Sequence, residues 1–204
     1  MNYETTPQED VINKTVDAIK GRGINVILVD TKEDALEKVK ELIPEGKSIM
    51  NGSSRTLEEI GFVDYLKENT DKWNNLHVPA MMEKDQMKQM QMMKEAQLAE
   101  YFLGSVNAIA ETGELVAADA SGSRIGAYPF AAGNVLLVAG VNKIVPTLNE
   151  AITRIKEHVL PLESERVKKE MGMPGSMIGK MLIFEREMFE GRTTLILVKE
   201  KLGY

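Results

Sequence analysis

Short apolar runs rich in β-branched residues alternate along this chain with longer stretches whose apolar residues recur every three or four positions. Each short run reads as a buried strand and each longer stretch as an amphipathic helix. Thr6, Pro7 and Glu9 supply a hydroxyl cap, a first-turn proline and a carboxylate three residues on, so a helix is predicted to start there. Its face carries Val11, Ile12, Thr15, Val16 and Ile19, and Gly21 and Gly23 end it. A strand follows over residues 24–29. A second helix opens at Thr31, with Asp34 completing a capping box, and stops at Pro44-Glu45-Gly46. A strand at 48–51 then leads through Gly52-Ser53-Ser54 into a helical stretch at 56–60, and another helix is expected over 83–100. Glycines and small residues separate strand-like runs at 107–110, 114–118 and 135–139. Thr147 and Glu150 open a helix with Ala151, Ile152, Ile155 and Val159 inward, which Pro161 is expected to end. A charged helical segment to about residue 170 and strands at 181–187 and 193–198 complete the pattern. Parallel strands need crossover helices, so this order predicts an α/β fold with a mostly parallel central sheet flanked by helices.

The 204 residues are enough for one sizeable core, and no low-complexity linker divides them. A single domain over 1–204 is expected, with the helix at 6–21 as an appended element. A net charge of −6 argues against a grip on nucleic acid, which needs a basic surface to release counterions from phosphates. A locally positive pocket for a small anionic ligand is still compatible with it. The absence of cysteine rules out disulfides, thiolate nucleophiles and thiolate-ligated clusters within the chain, so no cofactor is expected in it. The N-terminal segment lacks the charge and apolar run of a signal peptide, and no apolar run is long enough to span a bilayer. Cytoplasmic localisation without membrane insertion is the expectation.

Three groups of residues carry candidate chemistry. Gly52, Ser53, Ser54 and Arg55 lie between a strand and a helix start, where free N–H groups, hydroxyls and a planar cation suit an anion. A plain serine N-cap with a solvated arginine reads equally well. The second group is Asn107, Glu111, Asp119, Ser121, Gly122 and Arg124: Glu111 sits at a glycine turn, where a carboxylate can act as base or acyl nucleophile, or simply occupy a hairpin turn. The third is Gly140, Asn142 and Lys143, after an apolar strand, at the end where α/β sheets bind ligands. Lys143 as an ordinary surface residue is the competing reading. Six methionines between Met81 and Met93 fit core filler or a flexible partner surface far better than a cuprous site. Residues 172–180 have the glycines of a phosphate loop, but Met181 follows Lys180 where a hydroxyl is needed, and a strand follows rather than a helix. His77 and His158 stand isolated, with no second histidine at ligand spacing.

The stretches NGSSRTLEEIG (51–61), AEYFLGSVNAIAETGELVAADASGSR (99–124), VLLVAGVNKIV (135–145), EAITRIK (150–156) and RTTLILVKEKLGY (192–204) together resemble the LUD (lactate-utilization) domain family, that of lactate utilization protein C. The resemblance implies a fold similar to sugar-phosphate isomerases and CoA transferases, and a part in oxidising L-lactate to pyruvate beside a partner that carries iron–sulfur clusters. It makes Gly52, Ser53 and Ser54 similar to the phosphate loop of the isomerases, and Glu111 similar to the nucleophilic glutamate of CoA transferases. Many short members carry a cysteine cluster before the last strands. Here that region reads MGMPGSMIGKM, so a cluster bound there has no ligands.

Two functions follow as expectations. One is an accessory subunit of a lactate-oxidising complex with a small anionic-ligand pocket. The other is a free-standing CoA-transferase-like or isomerase-like enzyme for an acyl-CoA, sugar phosphate or hydroxy acid. The methionine-rich surface and the family resemblance make a homo-oligomer the expected state.

Overall fold

The structure is a computed structural model and describes residues 2–69 and 71–204. In chain order its elements begin with α1 (Glu9–Gly21), β1 (Asn25–Val29), α2 (Lys32–Leu42), β2 (Ser48–Asn51), α3 (Arg55–Glu59), α4 (Phe62–Glu68), β3 (Asn74–Asn75), α5 (His77–Met82) and α6 (Gln86–Glu95). The middle of the chain gives β4 (Tyr101–Gly104), β5 (Ala108–Ala110), β6 (Leu115–Asp119), β7 (Asn134–Gly140) and β8 (Ile144–Val145). Then come α7 (Leu148–Arg154), α8 (Leu160–Met171), β9 (Lys180–Phe184) and β10 (Thr193–Val198).

The central sheet has six strands in the order β1-β10-β7-β4-β2-β3, and every neighbouring pair is parallel. This is the expected α/β architecture, and successive side chains on its strands divide between two cores. Phe102, Leu195 and Leu197 pack with Ile12, Val16 and Ile19 of α1, while Leu103, Ile196 and Val198 pack with Val39, Leu57, Phe62 and Trp73 on the other side. Thus α1 buries its apolar stripe in the main core, where each fully covered isoleucine contributes about 1.5–3 kcal/mol.

The mid-chain strands leave the central sheet. β5 and β6 form the expected antiparallel pair, but with β8 and β9 they make a second sheet in the order β8-β5-β6-β9. Its inner face, with Ile109, Leu115 and Phe184, joins the α1 core, and its outer face, with Ala108 and Val116, packs on Ala151 and Ile155.

Local signals were partly right. Thr31 and Asp34 form the full capping box, and Ser54 and Thr147 each accept an N–H three residues on. The first helix starts at Glu9 after Gln8, however, and no side chain caps it, so the predicted Thr6 cap is not made. Pro161 also does not end its helix. A π-helical turn over Ile155–Val159 precedes it, and α8 carries the proline in its first turn, where a missing N–H costs little. The long helix predicted over 83–100 is shorter: α6 begins after the Asp85 cap and gives way to a 3₁₀ turn at Ala96–Leu98. No helix among the described residues is long and apolar enough to cross a membrane.

Candidate functional site

β2, β4 and β7 lie side by side and run in one direction, so the residues following them emerge at one edge of the sheet. Gly52–Ser54, Ser105–Asn107 and Lys143 therefore come together although about 90 residues separate the first from the last. They line a cavity of about 430 Å³, with Asp119 at the end of β6, Arg124 from the loop after it, and Glu163, Arg166 and Tyr204 from the C-terminal part of the chain.

Lys143 forms the floor. It is 2% exposed, and its Nζ lies 2.9 Å from Thr56 Oγ1, 3.0 Å from Ser105 Oγ and 3.1 Å from the Val106 carbonyl. Ser105 donates its own proton to the Val138 carbonyl at 2.6 Å, so it accepts from the amine. Two N–H groups thus have fixed acceptors, in Ser105 and Val106. Thr56 can accept a third N–H from the ammonium or donate its hydroxyl proton to the lone pair of the neutral amine, and the shell accommodates either form. Burial, joined by the like charges of Arg154 and Arg124, lowers the Lys143 pKa to about 7, with Glu59 opposing. The group consequently changes charge near neutral pH.

Arg154 lies behind this floor. It is fully buried, donates to the Asn107 carbonyl at 2.6 Å and to the Asn142 carbonyl at 3.4 Å, and its Nε has no partner. Desolvation lowers its pKa to about 10. Among the described residues no carboxylate oxygen lies within 4 Å of Lys143 or Arg154, so neither has an ion-pair partner. An unpaired buried charge is costly.

Arg124 closes the side. Its Nη2 donates to the Ala118 carbonyl at 2.5 Å, and its Nε is 3.8 Å from Asp119. Asp119 itself is engaged by the backbone N–H groups of Gly122 at 3.0 Å and Arg124 at 3.1 Å. Asn107 joins the strands by accepting from Ala118 N–H at 2.8 Å. Gly52 is required here for close approach: a Cβ on it would stand 2.5 Å from Arg124 Cγ and 2.7 Å from Cδ.

The predicted residues are thus only partly gathered. Gly52, Ser53, Ser54, Arg55, Asn107, Asp119, Arg124 and Lys143 line the cavity. Ser54 spends its hydroxyl as the N-cap of α3, as the plain capping reading has it, whereas Arg55 pairs with Glu58 and Glu59 instead of standing solvated. Ser121 and Gly122 belong to the supporting loop, with Lys180 donating to the Ser121 carbonyl. Gly140 and Asn142 stand behind the wall. A Cβ on Gly140 would meet the Glu200 carbonyl at 2.5 Å, and Asn142 accepts from Leu202 N–H, tying down the chain end. Glu111 is elsewhere. It is at the turn closed by Gly113, 3.9 Å from Lys14, and borders a separate crevice with Tyr3, Val11 and Asn142. β5 begins beside the cavity, where Asn107 lines it, and ends away from it, where Glu111 lines the second crevice.

Sequence reasoning missed Ser105, Arg154 and the group of Glu163, Arg166 and Tyr204, and read Thr56 only as the end of the Gly52 segment. Tyr204 donates its hydroxyl to Glu163, which Arg166 also holds at 2.7 Å. Their signal was weak, since serine, threonine and a helical arginine are ordinary surface residues until topology buries them.

Fold and site together define an α/β domain with a polar cavity, floored by the buried Lys143, at the carboxyl ends of a parallel sheet. The LUD domain family model matches residues 12–174, and the chain belongs to that family. The crystal structure of a DUF162 family protein from Deinococcus radiodurans is similar in fold, with a TM-score of 0.54 at 14% identity over 94% of this chain and 99% of that one. D-ribose-5-phosphate isomerase in complex with phospho-erythronic acid gives a TM-score of 0.41 at 11% identity, covering 84% of this chain and 95% of that one. Ribose 5-phosphate isomerase from Plasmodium falciparum gives 0.38 at 10% identity, covering 82% and 93%. No curated protein matches the sequence.

Proposed function

We propose that this LUD-domain protein serves L-lactate utilization as an accessory subunit and that its cavity binds a small organic anion. The observation that carries the anion reading is the pair of buried cations, Lys143 and Arg154, neither of which has an ion-pair partner within 4 Å among the described residues. Bound negative charge would supply the missing partner and draw a proton onto Lys143. The family's association with lactate utilization supports the pathway, and the lack of cysteine leaves any iron–sulfur cluster to a partner protein.

Calorimetric titration with small carboxylates tests the site. Affinity should be flat below pH 7 and fall up to tenfold per pH unit above it, because the charged form of Lys143 is lost there. Lys143→Met should weaken binding at pH 6.5 at least tenfold, and unchanged affinity would refute the assignment. Affinity capture from cells growing on lactate tests the subunit role: co-purification with an iron–sulfur protein is expected, and recovery of the chain alone together with normal growth after deletion would contradict it. The second reading, a free-standing enzyme, is favoured by one observation, a near-neutral amine in a closed floor, which is suited to proton transfer. Turnover of a sugar phosphate, acyl-CoA or hydroxy acid by the isolated protein, lost in Lys143→Met, would establish it.

A further inference from the structure

The two ends of the cavity differ chemically. At the floor, Lys143 is 2% exposed and flanked by Arg124, Ser105 and Asn107. At the mouth the lining comes from methionines on separate elements: Met81 on α5, Met93 on α6, Met171 at the end of α8 and Met177 in the loop after it. Met81, Met171 and Met177 are 55%, 62% and 69% exposed, and α6 has no buried residue at all. Methionines that fill a core are covered. Met93 is half-buried against the main core, but Met81, Met171 and Met177 lie open at the cavity, where unbranched, polarisable side chains can adjust to an apolar surface. Leu160 and Val159 continue the apolar wall inward.

Size points the same way. A cavity of about 430 Å³ falls within the roughly 300–1,000 Å³ of pockets that hold drug-sized ligands, whereas a three-carbon hydroxy acid has six non-hydrogen atoms. An anion that small would neutralise the floor and leave the methionine end unfilled.

We propose that the ligand is an amphipathic oxyanion, with its charged head at Lys143 and Arg124 and an apolar body of several carbons against Met81, Met93, Met171 and Met177. This rests on the anion-site reading above and adds the class of molecule that fills the remainder.

The test is calorimetry at pH 6.5 with L-lactate, 2-hydroxyhexanoate, hexyl phosphate and the uncharged 1,2-hexanediol. Each methylene buried against the wall should raise affinity about fourfold, so 2-hydroxyhexanoate should bind on the order of 50-fold more tightly than L-lactate. Met177→Gln and Met81→Gln, both at exposed positions, should each remove a several-fold part of that gain. Either order of hexyl phosphate and 2-hydroxyhexanoate supports the class, and the tighter one identifies the head group. Equal binding of lactate and 2-hydroxyhexanoate would overturn the apolar subsite and leave the anion site standing. Equal binding of 1,2-hexanediol and 2-hydroxyhexanoate would instead overturn the anion reading. Failure of all four to bind would overturn both.

Discussion

Replacing Lys143 with methionine should reverse the sign of its effect on stability between neutral and alkaline pH. The wild-type lysine titrates at about 7 in the fold against 10.5 when exposed, so the unfolded chain binds more protons throughout that interval. Wild-type stability is accordingly lost as pH falls from 10.5 toward 7. At about 1.4 kcal/mol per pH unit, the fall from 10.5 to about 7 corresponds to roughly 5 kcal/mol of desolvation penalty at and below neutral pH. Lys143→Met removes that penalty, but it leaves the Val106 carbonyl without its donor, at a cost of about 1–3 kcal/mol. We therefore expect the variant to be about 2–4 kcal/mol more stable than wild type at pH 6.5 and less stable by up to about 2 kcal/mol near pH 10. Urea unfolding followed by circular dichroism at half-unit pH steps measures the difference, in which other titrating groups largely cancel. A difference independent of pH would refute the buried, discharged lysine.

Three further expectations follow from the same geometry. Gly52→Ala places a Cβ 2.5 Å from Arg124 Cγ, so calorimetry should show anion affinity reduced about tenfold with the melting temperature lowered only slightly. Gly104→Ala places a Cβ 1.8 Å from the hydroxyl of the fully buried Tyr128, and chemical denaturation should show a loss of about 3 kcal/mol or more. Glu111→Gln should leave ligand binding in the cavity within twofold of wild type, because its carboxylate borders the crevice beside Tyr3 and not the Lys143 floor. A large loss of binding in that variant would mean the two crevices communicate.

The parallel sheet was legible in part: β2, β7 and β10 are apolar runs buried in the sheet, and helices announce their starts through Thr31, Ser54 and Thr147, but β4 and the two-asparagine β3 were not foreseen as strands. The site was legible where it followed a strand end, as at Gly52 and Lys143. What could not be read was partition between sheets. The runs at β5, β6 and β9 have the same composition as the central strands, and only long-range pairing, such as Leu115 opposite Phe184, separates them. That partition sends Glu111 away from the cavity. Burial of charge was equally hidden. Arg154 occupies a helix position next to the apolar stripe and looks solvent-facing, yet the carbonyls of Asn107 and Asn142 draw its guanidinium inside. The π-helical turn before Pro161 escaped notice because proline alone signals a stop, whereas a widened turn lets the chain continue as a helix.

The charge state of Lys143 is best followed directly, by the chemical shift of its ε-methylene across pH 5.5–10 in protein alone and in protein saturated with 2-hydroxyhexanoate. In the free protein a midpoint near 7 is expected, moving up by one pH unit or more once the carboxylate is bound beside the amine. A midpoint above 10 without ligand, or the same midpoint with and without it, would contradict an anion site built on this lysine.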